Sequence, residues 1–158
     1  MKTPEIELSR LHDVLHYDPE TGIFMWKPKP AGHQRKDSGY VSIEVDGQEI
    51  KAHRLAWFMA KGEWPQGVVD HINGNKSDNR IENLRDATYK VNAQNKRIHS
   101  KNNAQKLLGV CWNKAKSKWQ AGISHEGKNK HLGLFETPEE AHEAYLKAKR
   151  LLHEGCTI

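Results

Sequence analysis

The chain has few of the features on which secreted, membrane-spanning or zinc-binding proteins depend. It has 158 residues and only two cysteines, Cys111 and Cys156, which stand far apart. Neither a disulfide framework nor a cysteine-based zinc site is therefore expected. No apolar run is long enough to cross a bilayer, and residues 1–10 lack the apolar core of a signal peptide. These absences predict a reducing, cytoplasmic location and no membrane partner.

Positive charge is concentrated in one part of the chain. Residues 96–130 contain nine Lys or Arg and a single acid, Glu126, so this segment carries +8 where the whole chain carries +5. A concentrated basic segment indicates a polyanionic partner. A solubilising lysine-rich surface is the other explanation, and composition alone leaves both open.

Hydrophobic periodicity and turn residues predict an α+β chain whose first part begins with a helix and a β-hairpin. Asp46-Gly47 is a strong hairpin turn, and Gly62 ends a helix. Residues 28–38 are polar and rich in Pro and Gly, which predicts a loop. The predicted elements are a helix at 4–15, strands at 23–26, 39–45 and 48–52, a helix at 53–61, a strand at 68–72, a polar loop at 73–83, a strand at 84–86 and a helix at 88–96.

The second part is predicted to be a small sheet with one helix. Strands are expected at 108–113, 118–124 and 130–134, after a polar linker. The last helix starts at Thr137-Pro138-Glu139-Glu140, where Thr is a good N-cap and Pro suits the first turn. We expect this helix to bury four residues against the sheet, namely Ala141, Ala144, Tyr145 and Ala148.

The stretch from Val69 to Arg85, continued by Asn92, contains the residue types that phosphodiester hydrolysis needs. That reaction needs a base to deprotonate water and a cation to stabilise the phosphorane and the leaving oxygen. His71 suits the base, and oxygen donors such as Asp70 suit a hard divalent cation. Neighbouring strand residues point to opposite sides, so the two can share a site only where the strand twists or ends. Singly, each residue is more often a turn former or an ion-pair partner.

Together with His53-Arg54-Leu55-Ala56-Trp57, this stretch resembles the HNH endonuclease motif in its phage and intron-encoded homing branch. The resemblance runs from Gly39 to Arg97. It implies a ββα-metal core at about 66–97 within a nuclease domain of residues 1–97, followed by a linker at 98–106 and a second domain at 107–158.

The resemblance also implies a role for each motif residue. His71 matches the general base, Asp70 and Asn92 match the metal ligands, and Asn83 matches the residue that braces the long loop and orients the base. Many relatives carry His where this chain has Asn92, so the chain resembles an H-N-N variant. Such a set implies one Mg²⁺ or Mn²⁺ per chain and no zinc.

Residues 109–112, 118–123 and 132–145 resemble the AP2 (ERF-type) DNA-binding domain, whose three-stranded antiparallel sheet, backed by one helix, enters the major groove. The positions that would face bases are Cys111, Asn113, Gly122, Ser124, Asn129 and His131. The lysines that could hold phosphates are Lys114, Lys116, Lys118, Lys128 and Lys130. Because the base-facing set lacks Arg, we expect moderate sequence specificity. Trp112 and Trp119 could stack on sugar or base, but one or both are expected to pack in the core instead.

Basic residues of the nuclease domain are candidates for contacts to DNA phosphates, which position a duplex without reading its sequence. They are Arg54, Lys76, Arg80, Arg85, Lys96 and Arg97. For Arg54, a structural bond to the catalytic hairpin is an equally open interpretation.

The two resemblances together imply a metal-dependent, homing-type endonuclease that hydrolyses phosphodiester bonds in double-stranded DNA and nicks one strand per active site. It would be phage-encoded, act in the host cytoplasm as a monomer or homodimer, and need no small-molecule cofactor. The alternative is a non-catalytic, sequence-preferring DNA-binding protein or regulator. An RNA-processing enzyme is less favoured, because the sheet suits the wide major groove of B-form DNA.

Overall fold

The computed structural model describes residues 4–26, 29–95 and 106–157. Its contacts divide the chain into two units, Met1–Tyr89 and Lys90–Ile158. Most of the predicted linker, together with Lys96 and Arg97, lies outside the described residues. Within the described ranges, none of the helices combines the length and the apolar character that crossing a bilayer requires.

The first unit contains three small antiparallel sheets and two helices of seven and ten residues. Its elements are α1 (Leu8–Val14), β1 (Leu15–Tyr17), β2 (Phe24–Trp26), β3 (His33–Gln34), β4 (Val41–Val45), β5 (Gln48–Lys51), α2 (Ala52–Lys61), β6 (Val68–His71), a 3₁₀ turn (Ile81–Asn83) and β7 (Leu84–Ala87). Strand β1 pairs with β2, β4 lies between β3 and β5, and β6 pairs with β7.

Local sequence explains the element boundaries around α2. Asp46 and Gly47 both have positive φ, the conformation that a tight hairpin turn between β4 and β5 requires. Helix α2 ends at Gly62, which adopts the left-handed conformation of a helix C-cap. Leu55 on α2 is completely buried, and it joins Leu11 and Ile43 in the core of this unit. Strands β6 and β7 pack against this core.

The second unit contains α3 from Lys90 onward, a three-stranded antiparallel sheet and one long helix. Its elements are α3 (Tyr89–Gln94), β8 (Val110–Asn113), β9 (Lys118–His125), β10 (Lys128–Phe135) and α4 (Pro138–Leu152), with β9 in the centre of the sheet. Thr137 forms the predicted capping box with Glu140 at the start of α4. Ala121 and Ala141 are fully buried where α4 packs on the sheet.

Three details differ from the predictions. The first helix begins at Leu8 and ends at Val14, because Leu15 pairs with Trp26 in a strand instead of continuing the helix. A two-residue strand, β3, lies inside the predicted loop 28–38 and pairs with β4. On α4 the deeply buried residues are Ala141 and Lys149, whereas Ala144, Tyr145 and Ala148, which the pattern predicts to be buried, are only partly buried.

Candidate active site

Asp70 and His71 occupy the end of β6, and both are buried. Asp70 pairs in register with Arg85 of β7, and His71 with Leu84. Oδ2 of Asp70 accepts hydrogen bonds from Nε of Arg85 at 3.1 Å and from Nη2 at 2.8 Å. Arg85, a candidate phosphate contact, thus forms an ion pair within its own hairpin.

Asn83 ties together the loop that follows β6. Its Oδ1 accepts a hydrogen bond from the backbone N–H of Asn73 at 2.9 Å, and its Nδ2 donates to the carbonyl of Asp78 at 2.8 Å. The backbone carbonyl of Asn83 also accepts from the N–H of Ile72 at 2.8 Å. With a side chain that is 5% exposed, Asn83 is well placed to hold this loop against the end of β6.

The imidazole of His71 contacts a residue that the sequence reasoning missed. Nε2 of His71 lies 3.3 Å from Oδ1 of Asn79, which is itself buried. Nδ2 of Asn79 donates to the carbonyl of Ser77 at 3.3 Å, which orients the amide oxygen toward the ring. Because an amide oxygen only accepts hydrogen bonds, Nε2 carries the proton and Nδ1 carries the lone pair. In the sequence, Asn79 has no feature that separates it from a turn-forming asparagine. Its burial in the structure is the feature that does.

His71 also belongs to a cluster of rings with His53 and Tyr40. The ring centroids of His53 and His71 lie 5.0 Å apart, and Tyr40 lies 5.1 Å from His53 and 5.9 Å from His71. Nδ1 of His53 is buried and has no hydrogen-bond partner among the described residues. This cluster connects the hairpin region and the start of α2 to the end of β6.

Burial keeps both histidines uncharged near neutral pH. It lowers the pKa of His53 to about 3, with smaller lowering effects from the neighbouring His71, Lys51 and Arg54. Burial also lowers the pKa of His71, against the opposing effects of the Asn79 hydrogen bond and of the charges on Asp70 and Asp78. A neutral imidazole can accept a proton, which a general base must do.

The β1–β2 hairpin supports the loop that carries Asn79. The hydroxyl of Tyr17 donates to the backbone carbonyl of Asn79 at 2.8 Å in a buried position. The N–H of Ile81 donates to the carbonyl of Pro19 at 3.0 Å. Gly22 packs so closely that a Cβ atom there would lie 2.4 Å from the nitrogen of Arg80. The backbone of residues 79–81 is therefore held from the N-terminal side.

The other predicted phosphate contacts of this unit have intramolecular partners. Lys76 donates from Nζ to the carbonyl of Ser38 at 2.8 Å. Arg80 forms ion pairs with Asp78 at 2.8 Å and with Glu82 at 2.7 Å. The guanidinium of Arg54 lies 5.6 Å from the ring centroid of Trp64. Their roles in DNA binding stay predictions.

In the second unit, the face of the sheet opposite α4 is polar and open. A groove of about 390 Å³ lies on this face, lined by Cys111, Gly122, Ser124, Asn129 and His131 among others. Nδ2 of Asn113 donates to Oε1 of Gln120 at 2.9 Å. Five of the six positions expected to face bases thus share one groove, and Asn113 is bonded to a further residue that lines it.

The lysines and tryptophans of this unit differ in exposure. Lys114, Lys116, Lys128 and Lys130 are exposed, whereas Lys118 forms an ion pair with Glu136 at 2.6 Å. Trp119 is partly buried and packs in the core of the unit. Trp112 is 46% exposed and contacts Trp119 edge to face at 4.9 Å.

Comparison with known proteins finds similarity that includes the part of the chain with the candidate site. A family model described as HNH endonuclease matches residues 51–94. Protein 3.8 of Escherichia phage T7 is 32% identical over 104 residues, which cover 65% of this chain and 84% of that protein. An uncharacterized HNH endonuclease of Acanthamoeba polyphaga mimivirus is 42% identical over 69 residues, or 39% of this chain and 17% of the relative. The part of the chain that contains the candidate site, residues 51–94, therefore matches the HNH endonuclease family.

Two further similarities complete the comparison. A second uncharacterized HNH endonuclease of the same mimivirus is 34% identical over 120 residues, or 74% of this chain and 60% of the relative. The chain thus spans less than two thirds of either mimivirus relative. A solved structure of the HNH homing endonuclease I-HmuI is 25% identical, with a TM-score of 0.45 over 95% of this chain and 93% of that chain.

HNH nucleases generally use a divalent metal ion, and the donors of this chain fit a hard cation. Asp70 offers carboxylate oxygen and Asn92 offers amide oxygen, both of which suit Mg²⁺ or Mn²⁺. Among the described residues, no three His, Cys, Asp or Glu side chains come together as a metal-binding group. Asp70 belongs to the first unit and Asn92, on α3, to the second. Their shared ligation stays a prediction.

Proposed function

We propose that this HNH protein is a metal-dependent endonuclease that hydrolyses phosphodiester bonds in double-stranded DNA and nicks one strand per active site. The observation that carries the proposal is the buried, neutral imidazole of His71, oriented by Asn79 and adjacent in sequence to the carboxylate of Asp70. A DNA-binding protein without catalysis has no need for an oriented neutral base at this position.

In this mechanism His71 acts as the general base. Its Nδ1 takes a proton from water, while the proton on Nε2 stays on the bond to Asn79. The charge that forms on the ring is stabilised by Asp70 and Asp78, which both favour the protonated form. Burial keeps the resting imidazole uncharged, so it is ready to accept the proton.

Asp70 and Asn92 are the proposed ligands of one Mg²⁺ or Mn²⁺. When bound, such a cation supplies positive charge that stabilises the phosphorane and the leaving oxygen. Arg85 donates two hydrogen bonds to Oδ2 of Asp70, and this contact orients the carboxylate. Asn83 holds the loop that starts directly after His71.

The second unit is proposed to bind DNA through the open face of its sheet in the manner of an AP2-like domain. The groove residues and the exposed lysines support this proposal, because the former present polar groups and the latter can hold phosphates. A homing role is part of the same proposal, and a cleavage-site map on phage and host DNA tests it.

Nicking of supercoiled plasmid, with and without EDTA, tests the catalytic proposal. His71→Ala should lower the nicking rate by about 10²- to 10⁴-fold, the usual contribution of a general base, and leave DNA affinity measured in EDTA nearly unchanged. His16→Ala is the matched control, because His16 is an exposed histidine on β1. Retained nicking in His71→Ala would refute the assignment. Binding without any nicking by the native chain would favour a non-catalytic DNA-binding protein.

A further inference from the structure

Two lysines converge on the ring of Tyr40 beside the candidate base. Nζ of Lys51 and Nζ of Lys76 each lie 4.7 Å from the centroid of the Tyr40 ring. Lys51 is the last residue of β5 and precedes α2, whereas Lys76 belongs to the loop after β6. Two separate parts of the first unit thus bring their ammonium groups to one aromatic ring.

Neither ammonium group is neutralised by a nearby acid. Among the described residues, the ion pairs within 4.0 Å involve other Lys, Arg and His side chains, and Lys51 and Lys76 take part in none of them. The ring attracts each cation weakly, and this attraction does not cancel the charge of either ammonium group. The pair therefore presents unbalanced positive charge, which an anion would balance.

The position of this charge indicates which anion. The Tyr40 ring lies 5.9 Å from the ring of His71, and the charge of Asp70 raises the pKa of the Tyr40 hydroxyl together with burial, the larger cause. The lysines therefore border the two residues on which the proposed hydrolysis depends. In a DNA nuclease, the anion that must approach these residues is a backbone phosphate.

We propose that Lys51, Lys76 and Tyr40 form a phosphate rim that holds a backbone phosphate of the cut strand beside His71. The proposal rests on the proposed nuclease function and adds to it the residues that place the strand. Lys51 and Tyr40 were not among the predicted contacts, because neither strand pattern nor motif spacing shows that β5 brings a lysine to the site.

Substitution of each lysine by Met or by Arg in the full chain tests this rim. Met keeps the length and removes the charge, and Arg keeps the charge. In EDTA, binding of a short duplex is measured at several salt concentrations. Each Met variant should lower the slope of log affinity against log salt by about 0.9, the value for one lost phosphate contact. Each Arg variant should keep the native slope.

Nicking of supercoiled plasmid provides the second measurement. If the rim holds a phosphate at the reacting centre, Lys51→Met should lower the maximal nicking rate by about 10²-fold, as loss of a group that stabilises transition-state charge does. The matched control is Lys61→Met at the opposite end of α2. Lys76 also bonds the carbonyl of Ser38, so thermal unfolding is measured for every variant. Lys51 is exposed and takes no part in the bond between Lys76 and Ser38, so the result for Lys51→Met does not depend on that bond.

The outcomes separate this proposal from the nuclease proposal. If the native chain nicks DNA and Lys51→Met matches Lys61→Met in slope and rate, the rim is wrong and the nuclease proposal stands. A different result is that the native chain does not nick DNA with any divalent cation, while both Met variants lower the slope of log affinity against log salt. In that case the rim stands as a phosphate site and the nuclease proposal fails.

Discussion

In the proposed mechanism, the amide of Asn79 determines which nitrogen of His71 acts as the base. If Asn79 orients the ring, Asn79→Ala should lower the nicking rate by on the order of tenfold to a hundredfold, the usual cost of losing a group that orients an active-site side chain. DNA affinity in EDTA should not change. Asn75→Ala is the control, because Asn75 is an exposed asparagine in the same loop whose side chain bonds only its neighbour Ser77. Equal rates for the two variants would contradict the role of Asn79.

His53 makes the stability of the protein depend on pH. Its pKa is about 3 in the folded chain and about 6.5 in an unfolded chain, so the unfolded state binds the extra proton below pH 6.5. The stabilisation is therefore complete above pH 6.5 and decreases as pH falls toward 3. Between pH 6.5 and 5, the free energy of unfolding should fall by about 2 kcal/mol.

Urea unfolding at a series of pH values measures this decrease. His71 contributes in the same direction because its pKa is also lowered. His53→Asn should therefore weaken the dependence without removing it. A free energy of unfolding that stays constant between pH 6.5 and 5 would show that His53 is protonated as easily in the folded chain as in the unfolded chain.

The sequence identified the residue types of the site better than their contacts. Asp70, His71 and Asn83 follow from spacing, because they lie within one hairpin and its loop. Asn79 and Tyr40 could not be predicted, since their roles depend on burial and on packing between distant segments. A buried asparagine and an exposed turn asparagine are identical in sequence.

The β1–β2 hairpin contacts the loop that carries Asn79 and holds its backbone in place. Gly22→Ala tests this, because its Cβ would lie 2.4 Å from the backbone of Arg80 and its φ is +73°. Gly47→Ala is the matched control, with φ of +75° and no atom within 4 Å of the new Cβ. The control should cost about 1–2 kcal/mol for the left-handed backbone. Gly22→Ala should cost about 1–3 kcal/mol more, because the added carbon overpacks the contact.

Urea unfolding of the two glycine variants gives these costs, and plasmid nicking shows whether the loop has moved. We expect Gly22→Ala to lose more activity than Gly47→Ala at a temperature where both are folded. Equal stabilities would mean that the turn at Gly22 moves away from Arg80 without cost and does not support the loop.

Elements defined by local signals were predicted well, whereas the short strands β1 and β3, which depend on pairing, were not predicted. The hairpin turn at Asp46-Gly47 and the capping box at Thr137 are local, and both are present. Strand β3 has two residues and exists through its pairing with β4, so its own sequence contains no periodicity to detect. Lys149 is buried on α4 although its pattern position is polar, because tertiary contacts and not charge decide which residues of a helix are covered.

For the whole molecule, the division into units affects how the DNA-binding role can be tested. Helix α3, which carries Asn92, is held by C-terminal residues: the N–H of Gly155 donates to Oε1 of Gln94 at 3.1 Å, and Thr157 bonds Asn95. A chain cut near residue 98 would lose these contacts together with the sheet. A fall in its activity could then come either from the loss of the proposed DNA-binding sheet or from a displaced Asn92, the proposed metal ligand. Substitutions in the intact chain are therefore the better test.

If the open face of the sheet binds DNA, charge on β10 should matter more than equal charge on α4. Lys128→Gln with Lys130→Gln removes two exposed lysines of β10, whereas Lys147→Gln with Arg150→Gln removes two exposed cations of α4. Both pairs lower the net charge by two.

The β10 pair should lower the slope of log affinity against log salt by about 1.8 and raise the DNA concentration needed for half-maximal nicking. The maximal rate should stay the same, because Asp70 and His71 lie in the other unit. An equal loss of affinity in both pairs would mean that DNA responds to the total charge of the chain, and the sheet would then have no special part in binding.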